Sequence, residues 1–420
     1  MSLISSLYIG QNGLSTTSTE LGVIGDNVAN ASTIGFKAGR ASFADLMGEG
    51  VVGGTGQLGL GSRLQAVQKI LTQGALSTTG VSTDLAISGN GMFAVRTSEG
   101  LAYTRNGQFQ MNEDGFIVDL QGNRVQGFPA DGSGTINGAM GDLQPGNATA
   151  PPQATTSVTV RANLDADEEV GLPFDPADPE GTSNFSTSTQ LFDSLGRPVD
   201  ATIYYTKTGD GQWEYHTMVD GGTQEGGVAG TPVEVAGGLL TFDTEGNLDT
   251  ATETLNNFLP VGATQPQPLT FDFGQNSTNG QGITQNGNVS ANTFVSQDGF
   301  AAGDLGSISI GTDGTITGTF TNGQSRALGQ VGLADFPAPD QLERIGNNLF
   351  RPTNLSGEAN VGAAGTGGRG KLFSGTLEQA NVDVATELVR MIVVQRNFQA
   401  NSKTVSTADQ MLSELIQLKR

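Results

Sequence analysis

Apolar residues recur at every seventh position at both ends of the chain. Leu377, Val384, Met391, Phe398, Val405 and Leu412 form one series, thickened by Leu388, Ile392, Leu415 and Ile416. Neither glycine nor proline occurs after Leu377. The pattern predicts a helix over 377–418, roughly 60 Å long at 1.5 Å per residue. Leu7, Leu14, Leu21 and Val28 carry the same spacing near the N-terminus. A sustained seven-residue repeat belongs to a helix that packs lengthwise on other helices. Nothing comparable lies between the two series, so the termini are expected to pair, with the rest of the chain inserted between them.

The two helices differ in strength. The N-terminal one contains Gly10, Gly13, Gly22 and Gly25 and the run Ser15 to Thr19. Each interior glycine costs about 1 kcal/mol relative to alanine, and the hydroxyl residues add to that. A partner surface reverses the balance, since burying an apolar side chain returns about 1.5–3 kcal/mol. An ordinary intrachain hairpin is the plainer reading. However, Gln395, Ser402 and Asp409 interrupt the companion heptad position. A lone seam so interrupted is weak, whereas one layer of a larger array has other neighbours.

Between the helices the period changes to two. After Val28, Asn30 and Gly35 supply stop and turn residues, and 36–75 read as irregular and Gly-rich, with Val51 to Gly61 nearly all small. Alternation begins near residue 83. Asn90-Gly91, Asn106-Gly107 and Asp114-Gly115 stand between apolar runs as hairpin signals. Pro145 to Thr156 reads as a linker. A second β region follows, with strand-like runs at 158–164, 201–205 and 213–219. The polar stretch Gln275 to Asn292 leads out, and 307–317 resume the first β region. The expected division is 1–32 with 376–420 as terminal coiled-coil helices, and 33–75 with 355–375 as a connecting Gly-rich segment. A first β domain takes 76–150 with 290–354, and an inserted outer β domain takes 151–289. The fold class is mixed: a terminal α-helical layer plus two nested all-β domains. Pro151 and Pro266 are candidate hinges.

Composition narrows the function. The chain of 420 residues has 62 glycines, no cysteine and a net charge of −22. Such acidity repels nucleic acid and anionic membranes, and no apolar run reaches the roughly twenty residues of a membrane span. The absence of cysteine excludes disulfides and thiolate metal sites. No basic residue precedes Lys37, so the N-terminus lacks the pattern of a cleavable signal.

Four stretches carry residues suited to catalytic, metal or nucleotide chemistry. His216, the single histidine, lies in the strand-like run Trp213 to Thr217 and reads as a strand-surface residue. Asp165, Asp167, Glu168 and Glu169 invite a calcium loop, but Val170 stands where the turn needs glycine and Pro176 where the bidentate glutamate belongs. Gly54 to Gly59 and Gly365 to Gly370 fit a dinucleotide-loop spacing without a strand before or a helix after. No enzyme activity, cofactor or metal is expected.

The two ends resemble the bacterial flagellar rod and hook axial proteins. The likeness rests on Leu21-Gly22-Val23-Ile24-Gly25-Asp26-Asn27-Val28-Ala29-Asn30-Ala31-Ser32-Thr33-Ile34-Gly35-Phe36-Lys37 and on the run from Leu377-Glu378-Gln379-Ala380-Asn381-Val382-Asp383 through Asn401. Gln297-Asp298-Gly299-Phe300 and Phe192-Asp193-Ser194-Leu195-Gly196, together with the long insertion, favour hook over the shorter distal rod members. Spirochaete members crosslink through a cysteine, which is absent here.

The resemblance implies export through the flagellar type III apparatus and polymerisation into a curved tube, the universal joint between rod and filament. It places the terminal helices around a central channel, so the heptad residues above become assembly contacts. It implies as partners further copies of the chain, a distal rod protein, a hook-filament junction protein and a hook cap protein, with no nucleic acid and no membrane insertion. Phe43 and Met47 resemble the export-gate motif of hook-type substrates. A distal rod protein and a secreted β-rich adhesin or glycan-binding protein are the alternatives.

Overall fold

The computed structural model describes residues 3–47, 59–275 and 282–418. The small-residue stretch at 51–58 and part of the polar stretch at 276–281 lie outside these. A helix opens the described chain (α1, Leu3–Ala29), another closes it (α2, Val384–Leu418), and strands occupy most of the remainder. The chain forms two compact units. The first comprises 1–148, 307–319 and 325–420, and the second 149–306 with 320–324.

In the first unit, α1 lies on a two-stranded antiparallel hairpin, β1 (Gly39–Met47) and β2 (Gly59–Lys69). This corrects the irregular segment expected over 36–75. The ladder breaks register twice, after Ser42 and after Asp45, so no clean alternation marks these strands in the sequence. The β core is a sheet in the order 315–320, 325–335, 124–129, 92–97, 100–104, 349–351 and 343–346. Its two halves come from opposite ends of the chain and pair directly, Leu333 with Phe93 and Gln330 with Phe128. Strand 92–97 is covered on both faces. Phe93 and Val95 join Leu85, Ile87 and Ile117, while Met92 and Ala94 join Tyr103, Phe336 and Phe350. A strand buried on both sides appears in sequence as an unbroken apolar run.

The glycine turns are only partly as expected. Asp114-Gly115 closes the hairpin of 109–111 with 117–119, with Gly115 at φ +80°. Asn90-Gly91 closes none, because 85–88 pairs with 371–374 from the far end of the chain. Asn106-Gly107 closes none either. There the glycine admits the Leu85 carbonyl, which would stand 1.7 Å from a Cβ. Asn347 and Asn348, both at positive φ, form the two-residue turn between 343–346 and 349–351.

The second unit is a five-stranded antiparallel meander (185–192, 198–209, 212–220, 232–242, 248–256) packed with a smaller sheet around 157–165. Val158, Val160, Ala162 and Leu164 alternate inward along 157–165 and meet Tyr205, Trp213, Tyr215 and Leu240. Strand 291–297 pairs with 157–165 and so belongs to this unit, not to the resumed first β domain expected from residue 290. Pro266 is no hinge between layers. It lies inside the second unit, next to buried Gln267, whose amide donates to the Thr155 and Phe192 carbonyls.

Candidate assembly surface

The terminal helices run antiparallel. Near one end Gly10 lies against Val405 and Gly13 against Asn401, while α1 finishes and α2 begins beside Ala38. The glycines that weaken α1 are what let α2 approach. A Cβ on Gly10 would stand 2.5 Å from the Val405 methyl, and one on Gly13 2.6 Å from the Asn401 amide. Thr16 and Thr17 are buried in α1, their hydroxyls donating back to carbonyls of the preceding turn, which satisfies them at the cost of some helix propensity.

The seam is phased one residue from the expected companion series. On α2 the inward positions are Glu387, Met391, Val394, Asn401, Val405, Ala408 and Leu412, buried or half-buried, at alternating steps of four and three (with Phe398 at the same phase but 39% exposed). Gln395, Ser402 and Asp409 are exposed and interrupt nothing. On α1, Leu7, Leu14, Leu21 and Val28 are only half-buried, and Ile24 and Asn27 are the most deeply covered side chains. Leu415 has no described side chain.

Leu377 is not helical. It lies in strand 376–378, paired with 76–78, and α2 starts at Val384. Asp383 sets that start, its carboxylate accepting from the amides of Ala385 and Thr386 and from the Thr386 hydroxyl. These bonds hold the Asp383 carboxyl below its usual range. The seven-residue spacing crosses this boundary unmarked, because strand and helix both place an apolar residue at its step, Leu377 buried and Val384 exposed.

At the foot of the pair the two terminal signatures meet in a buried polar junction. The Lys37 ammonium lies 2.6 Å from Glu378 and donates to the Thr72 carbonyl, and Arg105 approaches the other Glu378 oxygen at 3.1 Å. All three side chains are at least nine-tenths buried. Burial pushes the Lys37 and Arg105 pKa values down, against the opposing pull of Glu378. Asn27 grips both backbone groups of Gly39, and Asn381 bridges Ala38 to Ile70 and Thr72. Neither periodicity nor composition signals this junction. Lys37 and Glu378 lie in the two quoted terminal runs, but their meeting spans 341 positions.

One long face of α2 is bare. Leu388, Val389, Ile392 and Val393 are 45–62% exposed, and Ile416 is 69% exposed. Phe43, half-buried on β1, lines an open groove with Glu20, Asn397 and Asn401, and Met47 at the end of β1 is exposed. His216 lies on strand 212–220, its Nδ1 2.6 Å from Glu234 and its ring stacked on Phe174. Lys207 donates to the Ala166 and Glu168 carbonyls in the acidic loop. No helix among the described residues is long and apolar enough to cross a membrane.

Comparison with known proteins covers all these parts. Family models match at residues 7–37 (flagella basal body rod protein), 86–163 (flagellar hook protein FlgE/F/G D1 domain), 163–300 (flagellar basal body protein FlaE D2 domain) and 374–418 (flagellar basal body rod FlgEFG protein C-terminal). The flagellar hook protein FlgE of Escherichia coli strain K12 is 35% identical over 97% of this chain and 98% of its own. The chain belongs to the flagellar hook protein family. The hook protein of Salmonella typhimurium is 36% identical over 97% and 98% of the two chains, and that of Treponema pallidum 33% identical over the whole of both. A crystal structure of Helicobacter pylori flagellar hook protein FlgE2 aligns over 70% of this chain and 98% of its own, at 15% identity and a TM-score of 0.46. Membership makes the chain a structural subunit of the bacterial flagellar hook, located in the flagellum and assembled with copies of itself.

Proposed function

We propose that the terminal helices form the inner layer of the hook tube, with the β units outside it, and that the bare face of α2 is the surface through which subunits join. The observation that carries this is the exposure of Leu388, Val389, Ile392 and Val393 on a helix whose other side is already packed on α1. Contiguous exposed apolar surface of this kind marks an interaction site. The heptad residues Val384, Leu388, Met391, Phe398, Val405 and Leu412 of α2, with Leu7, Leu14, Leu21 and Val28 of α1, would hold the layer stiff. Leu377 would act from its strand, anchoring the base of α2. Deleting residues 390–420 is expected to leave both β units folded by circular dichroism and to abolish polymers in negative-stain microscopy. Normal tubes from the truncated chain would overturn the reading.

The tube would act as a universal joint, carrying torque while bending, with the distal rod protein at one end and the junction and cap proteins at the other. We further propose export through the flagellar type III apparatus before folding. Phe43 is half-buried beside α2 in the folded chain while Met47 is exposed, so an export gate would read the pair in full only while the chain is unfolded. Phe43→Ala with Met47→Ala should reduce secreted subunit several-fold while the purified variant still polymerises. Undiminished secretion would remove these residues from the export step.

A further inference from the structure

We propose that the cavity beside the buried Lys37–Glu378–Arg105 junction is a binding site for a small free monocarboxylate, whose short apolar tail lies on Leu71, Met92 and Phe336. The site lies wholly within the first unit and goes beyond the assembly reading above.

The cavity holds 260 Å³ and is half open. Its apolar walls come from three parts of the chain. Leu71 belongs to the segment leaving the hairpin, Met92 opens strand 92–97, and Phe336 follows strand 325–335. Met92 and Phe336 are buried in the small core on that face of the sheet, and Leu71 packs against it. Lys37 and Arg105 line the same space. A purely apolar hole stays dry. Two buried cations in the wall make this one a polar site.

Their donors are not all used. Of the three N–H groups on the Lys37 ammonium, one goes to Glu378 and one to the Thr72 carbonyl. On Arg105, Nη1 donates to Glu378 and the Ile87 carbonyl and Nη2 to the Gly89 carbonyl, while Nε donates to nothing among the described residues. Nε and Nη2 share one edge of the guanidinium, and each keeps an unmatched N–H, the fork that a carboxylate accepts in parallel. Both side chains are more than nine-tenths buried, where an unmatched donor is costly.

Water can satisfy such donors but cannot balance the charge. The junction holds two cations and one carboxylate, and that carboxylate also accepts from the Gly74 amide. Asp335, the further acid along the cavity, is half-buried and forms no ion pair among the described residues. The favourable pull on both cations comes from Glu378. One surplus positive charge matches a monoanion, whereas a phosphate dianion would reverse its sign. The apolar walls select an anion with a hydrocarbon tail over a bare inorganic ion.

The test is a titration of the full chain with butyrate, acetate and butylammonium, read by methionine-methyl NMR at Met92. Butyrate should move this signal saturably, with a Kd on the order of 1 mM. Acetate should bind roughly tenfold more weakly, because two buried methylenes are lost. Butylammonium, of similar shape and opposite charge, should not bind. Leu71→Trp fills the cavity and leaves the charges of the junction in place. It should keep the wild-type circular dichroism and lose at least about tenfold in butyrate affinity, the factor given by 1.4 kcal/mol. Arg105→Met removes the fork and should lose butyrate binding as well. A Met92 signal unmoved by butyrate, equal binding of butyrate and butylammonium, acetate as tight as butyrate, or undiminished binding by folded Leu71→Trp would overturn the site. None of these results bears on the truncation test of assembly.

Discussion

Single residues carry more of the outer unit's stability than their exposure suggests. Arg161 holds the Asp272 carboxylate at 2.8 Å and keeps its pKa below the usual value, outweighing partial burial. At Asp298 burial would raise the pKa, but the Thr156 hydroxyl and the Thr156 and Ser157 amides reverse the shift. Both carboxylates are depressed, so their contribution is fully present above the unfolded value near 3.8 and lost as pH falls through the lower folded values. Melting temperature measured from pH 7 to 2.5 should therefore owe no decline to these two groups until about pH 4 and then fall. Asp272→Asn should flatten that fall, and an unchanged acid limb in the variant would refute the assignment. Glycine shows the same dependence on surroundings. Gly107 is demanded by the Leu85 carbonyl, a contact between residues 22 apart, and no local turn rule signals it.

Among the elements, the junction below α1 and α2 ties the segment that leads into the C-terminal helix to the strands beside α1. Its energetics are asymmetric. Glu378→Ala would strand two buried cations and should cost about 3–5 kcal/mol, whereas exchanging the whole triad, Lys37→Met with Arg105→Met and Glu378→Leu, should be nearly neutral, because a well-packed apolar cluster avoids the desolvation penalty. Denaturant melts monitored on the first unit check both values. Equal losses in the two variants would show that the ion pair is not the stabilising group. Periodicity made both helices legible in outline, since seven-residue spacing survives any choice of partner. The phase of the seam was not legible. Asn401 opposite Gly13 is an interior position only because a glycine faces it, and no reading of α2 alone contains Gly13.

For the whole molecule, two cores form from interleaved segments, and perturbing one should spare the other. Trp213→Ala removes a fully buried side chain from the outer core and is expected to cost about 3–5 kcal/mol in that unit's transition. The helix signal and polymer formation should stay near wild type. Loss of tubes in this variant would show that the outer unit is needed for assembly. The nesting was foreshadowed by where periods change along the chain, from seven to two and back. Its boundaries were not. Strand 291–297 reads equally well with either β region, and only pairing with 157–165 assigns it.

Taken alone, the sequence determined the helical ends, the β-rich interior and the resemblance of both termini to flagellar axial proteins. These rest on local periodicity and contiguous motifs, which act within a few residues. Tertiary structure decided the phase of the α1–α2 seam, the hairpin under α1, the meeting of Lys37 with Glu378, and which faces of each helix stay bare. Those depend on contacts between residues hundreds of positions apart. There, burial and desolvation are set by what arrives from elsewhere in the chain rather than by any local preference.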